Sequence, residues 1–295
     1  MAIFWKPFQS VGHAVAIAAV GWMSPSNAAP ISVVAAENVY GDIVEQLGGN
    51  HVAVVSILTN PNQDPHLFEA SASTARALAG AALVIYNGLD YDPWMEKLLA
   101  VTPNGTRAII VVGDVSDKKT GENPHLWYEP LSVAALARAI STDLIARDPG
   151  SEVDYKQRLQ AFEASRAHLD AKIQAMHAKY AGIPITATEP VFQYMAEAVG
   201  LVVRNLEFQL AVMNDTEPSA RDVAAFQDDL RQHRVKVLLY NTQATDNLAQ
   251  RMRQIAESEK IPVVGVTETE PSGVRYQDWM EKELDALDAA LGAGP

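Results

Sequence analysis

Two stretches of the chain place a histidine directly after a proline: Asp64-Pro65-His66-Leu67-Phe68 and Asn123-Pro124-His125-Leu126-Trp127. Proline holds φ near −65° and pushes the residue before it into an extended conformation. Each histidine therefore sits on a defined backbone. Alone, either could be a turn residue; the recurrence of the pattern in two loops argues for convergence on one ligand.

Two carboxylates answer them further along. Glu189 follows "IPITAT" and precedes Pro190, and Glu268 follows "IPVVGVT". Read singly, Glu189 is an acid favoured at a helix N-terminus, and Glu270 lies two residues beyond Glu268 as a rival. Read together, two imidazoles and two carboxylates form a four-ligand set for a divalent cation, whose charge the carboxylates neutralise. The other histidines have simpler explanations: His13 falls in an apolar leader, His51 begins a strand, His168 and His177 ride a long helix, and His233 closes one. In "NDTEPSA", Thr216 or Glu217 before Pro218 reads as a helix cap, and Asp92-Pro93 reads as another helix start.

The elements that must position these residues alternate between strand and helix. From residue 31 the pairs are "ISVVAAEN" with "VYGDIVEQLGG", "HVAVVSILT" with "ASASTARALAG", "AALVIYNGL" with "DPWMEKLLA", and "TRAIIVVGDV" with "LSVAALARAISTDLIARD". The strands are continuous apolar runs, which suits parallel strands buried on both faces. Residues 151–180 break the alternation. There Leu159, Phe162, Leu169, Ile173, Met176 and Tyr180 recur at helical spacing, predicting one amphipathic helix roughly 45 Å long. Alternation resumes with "IPITAT", "LVVRNLEF", "VKVLLYN" and "IPVVGVT". The expected fold is α/β: two four-stranded parallel (β/α)4 lobes, residues 30–149 and 182–295, joined by a long backbone helix over 150–181. Ligands of parallel α/β sheets collect beyond the carboxyl ends of the strands, where His66, His125, Glu189 and Glu268 all fall.

At 295 residues with no cysteine, the chain can bury a large core, and disulfides, thiolate metal sites and cysteine nucleophiles are excluded. The first 28 residues, with one early lysine, an apolar run from Val11 to Met23 and small residues in "SNAA", have the layout of a secretory signal cleaved near Ala28 or Ala29. The run is short for a membrane span and is interrupted by His13. Without cysteine the mature N-terminus has no lipid attachment, so a periplasmic protein that is not membrane-spanning is expected. The net charge of −13 disfavours nucleic acid and anionic lipid as partners. No HExxH, GxSxG, P-loop or GxGxxG motif is present.

The runs "DPHLFEASASTARALAGAALVIYNGLDYDPWMEKLL", "NPHLWYEP", "TEPVFQYMAEAVGL" and "IPVVGVTETEP" resemble, in order, the cluster A-I metal-binding solute-binding proteins of ABC transporters, the zinc, manganese and iron group. The resemblance spans about residues 31–290 and implies two (β/α)4 lobes bridged by a rigid helix, with the metal between them. It implies His66 and His125 as the first two ligands and Glu189 as the third. The fourth, usually aspartate, falls on Glu268, one methylene longer, with Glu270 nearby. Only "SDKKTGE" precedes the second motif, where many zinc members carry a long histidine-rich loop. With a carboxylate as third ligand, this resembles the manganese or iron branch more than the zinc branch. The expected function is a periplasmic receptor, a monomer rather than an enzyme, that delivers the metal to a permease driven by a separate ATPase. The alternatives are an exported metal-dependent hydrolase using the same site and an exported adhesin on the same scaffold.

Overall fold

The computed structural model describes residues 1–3, 29–60, 68, 70–243 and 247–293. Nearly all of the leader, residues 4–28, and His66 with its loop lie outside the described residues. Eight strands are described: β1 Ile31–Glu37, β2 Val52–Leu58, β3 Leu83–Tyr86, β4 Ala108–Val111, β5 Pro184–Ala187, β6 Val202–Arg204, β7 Leu238–Asn241 and β8 Val263–Val266. The helices are α1 Asn38–Gly48, α2 Ala72–Gly80, α3 Pro93–Val101, α4 Val112–Val115, α5 Pro130–Arg147, α6 Glu152–Tyr180, α7 Gln193–Ala198, α8 Leu206–Met213, α9 Ala220–Arg231, α10 Asn247–Ser258 and α11 Tyr276–Gly292.

All pairings are parallel, in two four-stranded sheets ordered β2-β1-β3-β4 and β6-β5-β7-β8. Parallel neighbours need crossover connections, which the intervening helices supply. The central strands behave as their apolar runs predict. β3 is buried throughout and β1 over its last five residues, whereas the edge strands β2 and β6 leave alternate side chains to solvent. In each sheet the order changes direction beside the first strand, opening the crevice where ligand loops gather.

The long helix α6 buries Tyr155, Phe162, Arg166, Leu169, Ile173, Met176 and Tyr180. That seam repeats the predicted spacing, with Tyr155 and Arg166 as additions and Leu159 only half-buried. Arg166 is tolerated inside an apolar seam because Asp170, one turn on, lies 3.4 Å from its guanidinium. The apolar cluster along this seam is continuous from Val33 and Tyr40 of the first lobe to Ile185, Trp279 and Leu284 of the second. One core therefore ties both sheets to one helix.

Three local readings are corrected. The strand expected over "TRAIIVVGDV" ends at Val111, and Val112–Val115 form a helical turn. The run "LVVRNLEF" is interrupted at Asn205, whose left-handed φ of 63° turns β6 directly into α8. The helix after "NDTEPSA" is capped by Ser219, whose Oγ accepts from Asp222 N at 3.2 Å, and not by Thr216 or Glu217. Because the core is shared, Leu169→Ala should cost about 2–5 kcal/mol. Urea unfolding followed by circular dichroism and by tryptophan fluorescence should shift to a lower midpoint in one coincident transition; separate transitions would show the lobes to be independent.

Candidate metal centre

Carboxyl ends of strands from both sheets face each other across the crevice. From the first lobe, His125 projects from the turn after Pro124 and is fully buried. Its Nδ1 lies 2.7 Å from Asn123 Oδ1, which also accepts His125 N–H at 3.0 Å. An amide oxygen only accepts, so Nδ1 is the donor in that bond and Nε2 is the nitrogen turned toward the crevice. That Nε2 is buried without a hydrogen-bond partner and stands 3.5 Å from Glu268 Oε2.

Asn123 does more than orient the ring. Its Nδ2 donates to Pro190 O at 2.7 Å, and its own carbonyl accepts from Tyr194 OH at 2.9 Å. The residue that fixes His125 thus also anchors the segment beginning at Glu189 in the other lobe.

From the second lobe, Glu189 precedes the turn Pro190–Phe192 in an extended conformation and makes no side-chain cap. Its carboxylate turns inward, and Oε1 accepts from Asn241 Nδ2 at 3.3 Å. The same Nδ2 donates to Glu268 Oε1 at 2.7 Å. Asn241 ends β7 and spans the two acids. Glu268 is held further by Gln243, whose Oε1 accepts the backbone N–H groups of Glu268 and Thr269 at 2.6 and 2.9 Å.

The first lobe grips this loop at three successive points. Tyr128 OH donates to Thr267 O at 2.7 Å, Tyr91 OH to Glu268 Oε2 at 2.9 Å, and Asn38 pairs with both backbone groups of Glu270, accepting its N–H at 3.1 Å and donating to its O at 2.7 Å. Beneath Tyr91, burial pushes the Glu37 carboxyl well up, and the nearby Asp92 charge adds to it. Burial also raises Asp92, to about 6, against the pull of the Gly88 and Asn87 N–H groups that it accepts. Asp92 sits before α3 as its sequence suggests, but its carboxylate serves this loop and not the helix.

The structure sets His125 against Glu268 and links Glu268 to Glu189 through Asn241; among the described residues no group of three or more His, Cys, Asp or Glu is arranged to hold a metal ion, and His66 lies outside them. Glu270 lies elsewhere, in a recess with Asn38, Asp42, Glu45 and Arg275. Burial, reinforced by the Asp42 charge, pushes its carboxyl up to about 9. Sequence reasoning missed Tyr91, Asn241 and Gln243. Tyr91 follows β3 and the amides end or follow β7, so the rule about strand ends covers their positions, but phenols and amides are poor metal ligands and carry no ligand signal by type.

Two all-parallel sheets share one core, and polar groups from the strand ends of both converge between them. The family model described as ZnuA, zinc-uptake complex component A periplasmic, matches residues 33–290. The chain belongs to that family, whose members are metal-binding substrate-binding components of ABC transporters and not enzymes. The manganese ABC transporter substrate-binding lipoprotein PsaA of Streptococcus anginosus is 24% identical over 310 residues, covering 96% of each chain. Among solved structures, the periplasmic zinc binding protein TroA of Treponema pallidum superposes with a TM-score of 0.74 at 20% identity, covering 88% of this chain and 98% of that one. A mutant of the laminin-binding adhesin of Streptococcus agalactiae gives 0.73 at 21% identity, covering 88% and 99%. The comparisons give no support to the hydrolase alternative. The curated relative is named a lipoprotein, which conflicts with the expected absence of a lipid anchor; the present 295 residues contain no cysteine. No helix among the described residues is long and apolar enough to cross a membrane.

The raised Glu270 carboxyl has a measurable consequence. Its folded value of about 9 exceeds its ordinary value of 4.5, so the stability of the neutral form is complete below 4.5 and is lost as pH rises toward 9. Glu270→Gln cannot ionise. Its melting temperature relative to wild type should climb between pH 5 and 9, corresponding to more than about 1 kcal/mol. A difference that stays flat with pH would show that Glu270 ionises normally.

Proposed function

We propose that this protein is the periplasmic receptor of a metal ABC importer, in which His66, His125, Glu189 and Glu268 hold one divalent transition metal between the lobes. The observation that carries this reading is the buried, partnerless Nε2 of His125 facing Glu268 Oε2 at 3.5 Å. Two donors each about 2.1 Å from a shared ion at a tetrahedral angle stand about 3.4 Å apart. The pair already has that separation. The positioning groups support the reading as well, because metal-ligating histidines almost always donate their second ring N–H to a fixed acceptor.

Manganese or iron is favoured over zinc. Paired carboxylate and imidazole donors suit manganese, and the curated relative named above is a manganese protein. Raw affinity would favour zinc in the Irving–Williams order, so selection rests on geometry and supply. Residues 1–28 act as the export signal, cut near Ala28 or Ala29. The mature chain is a monomer, organised as lobes 30–149 and 182–295 about the helix 150–181. It passes its cargo to a permease with a separate ATPase. The shared core and the continuous helix α6 resist wide opening, so a modest shift of the second lobe releases the ion.

A metal that binds only the folded chain stabilises it by about 2.7 kcal/mol at a hundredfold excess over Kd. Manganese, iron(II) and zinc should each raise the melting temperature of the mature protein, while His66→Ala and His125→Ala should abolish the rise. No metal-dependent rise in wild type, or an unchanged rise in both variants, would refute the proposal.

A further inference from the structure

Tyr91 reaches across the crevice from the loop between β3 and α3. Its hydroxyl donates to Glu268 Oε2 at 2.9 Å, and the same oxygen stands 3.5 Å from His125 Nε2. The other oxygen, Oε1, accepts from Asn241 at 2.7 Å. Glu268 is thus pinned at each oxygen by a different lobe. Neither donor can swing away easily. The Tyr91 ring is 4% exposed and packs edge-on against Trp127 at 5.2 Å and His125 at 5.9 Å. Its loop is fixed by Asp92, which accepts the backbone N–H groups of Asn87 and Gly88 at 2.7 and 2.8 Å, and by left-handed Leu89 and Asp90 at φ 56° and 63°.

We propose that Tyr91 is a positioning residue for metal selection, holding Glu268 so that it meets the ion through Oε2 alone. This deepens the proposed function and rests on Glu268 being a ligand. A carboxylate oxygen has two lone pairs, so Oε2 can accept the phenol hydrogen on one and offer the other to a metal. Oε1 keeps a second lone pair beside its bond from Asn241, but offering both oxygens to one ion would require the carboxylate to rotate, which the Tyr91 bond to Oε2 opposes. The hydroxyl therefore limits how many donors the site supplies. Zinc, content with four ligands, loses nothing by this limit, whereas manganese, which favours six oxygen-rich ligands, forgoes one. Tyr91 thus works against the donor set's preference for manganese and narrows the gap between the two metals.

The test compares wild type with Tyr91→Phe, which keeps the buried ring. Manganese and zinc affinities are measured by competition with a chromophoric chelator, and the visible bands of the cobalt(II)-loaded proteins report coordination number. In Tyr91→Phe the zinc-to-manganese affinity ratio should fall about tenfold, the scale of one hydrogen bond, and the cobalt bands should weaken as a further ligand joins. A merely structural role would lower both affinities in parallel and leave the bands unchanged, which overturns the proposal. A second measurement needs no variant: in a crystal of the zinc-loaded wild type, Glu268 should bind through one oxygen with the Tyr91 hydroxyl still in hydrogen-bond range. A bidentate Glu268, or a Tyr91 turned away, overturns it. Wild type that takes up none of the three metals overturns the proposed function itself, an outcome distinct from metal uptake with an unaltered Tyr91→Phe.

Discussion

A buried imidazole nitrogen without a partner, set against a buried carboxylate from another lobe, is the constraint around which this molecule is arranged. His125 Nε2 has no hydrogen-bond partner, and its side chain and that of Glu268 are almost wholly removed from water. Burying polar groups unsatisfied costs about 1–3 kcal/mol each. The fold accepts that cost in a place where Asn123, Asn241, Gln243 and Tyr91 have been spent on orientation. Such an arrangement is expected of a site that waits for a cation.

The same bonds tie the two lobes to each other. Asn123 joins His125 to the segment of Glu189, and Asn38, Tyr91 and Tyr128 clamp the loop of Glu268 from the opposite side. The loops of Glu189 and Glu268 in the second lobe are therefore both held by the first. Behind them the continuous core along α6 resists separation. A wide hinge motion would break these contacts and expose that core.

Much of this was legible from the chain. The buried central strands announce themselves as unbroken β-branched runs, and the seam of α6 as residues spaced by three, four and seven. The doubled proline–histidine pattern singled out His66 and His125, and the rule about strand ends singled out Glu189 and Glu268, as candidates; of these the structure sets His125 against Glu268. What escaped has a physical reason. Asn205 turns a strand into a helix through one left-handed residue, which apolar periodicity does not register. Glu268 and Glu270 are chemically alike, and only the packing of Asn38 against one backbone and Asn241 against the other side chain separates them. Tyr91 and Asn241 orient the acids through hydrogen bonds, so residue type alone does not reveal them.

The central claim is that one ion is held by donors from both lobes. Equilibrium dialysis of the mature protein against manganese or zinc, with elemental analysis of the retained metal, tests it most directly when paired with Glu268→Gln, which keeps shape and removes charge. The account predicts one ion per wild-type chain, and far less than one in the variant at the same free-metal concentration. Retention of no metal by wild type, or of one ion by both proteins, would contradict it.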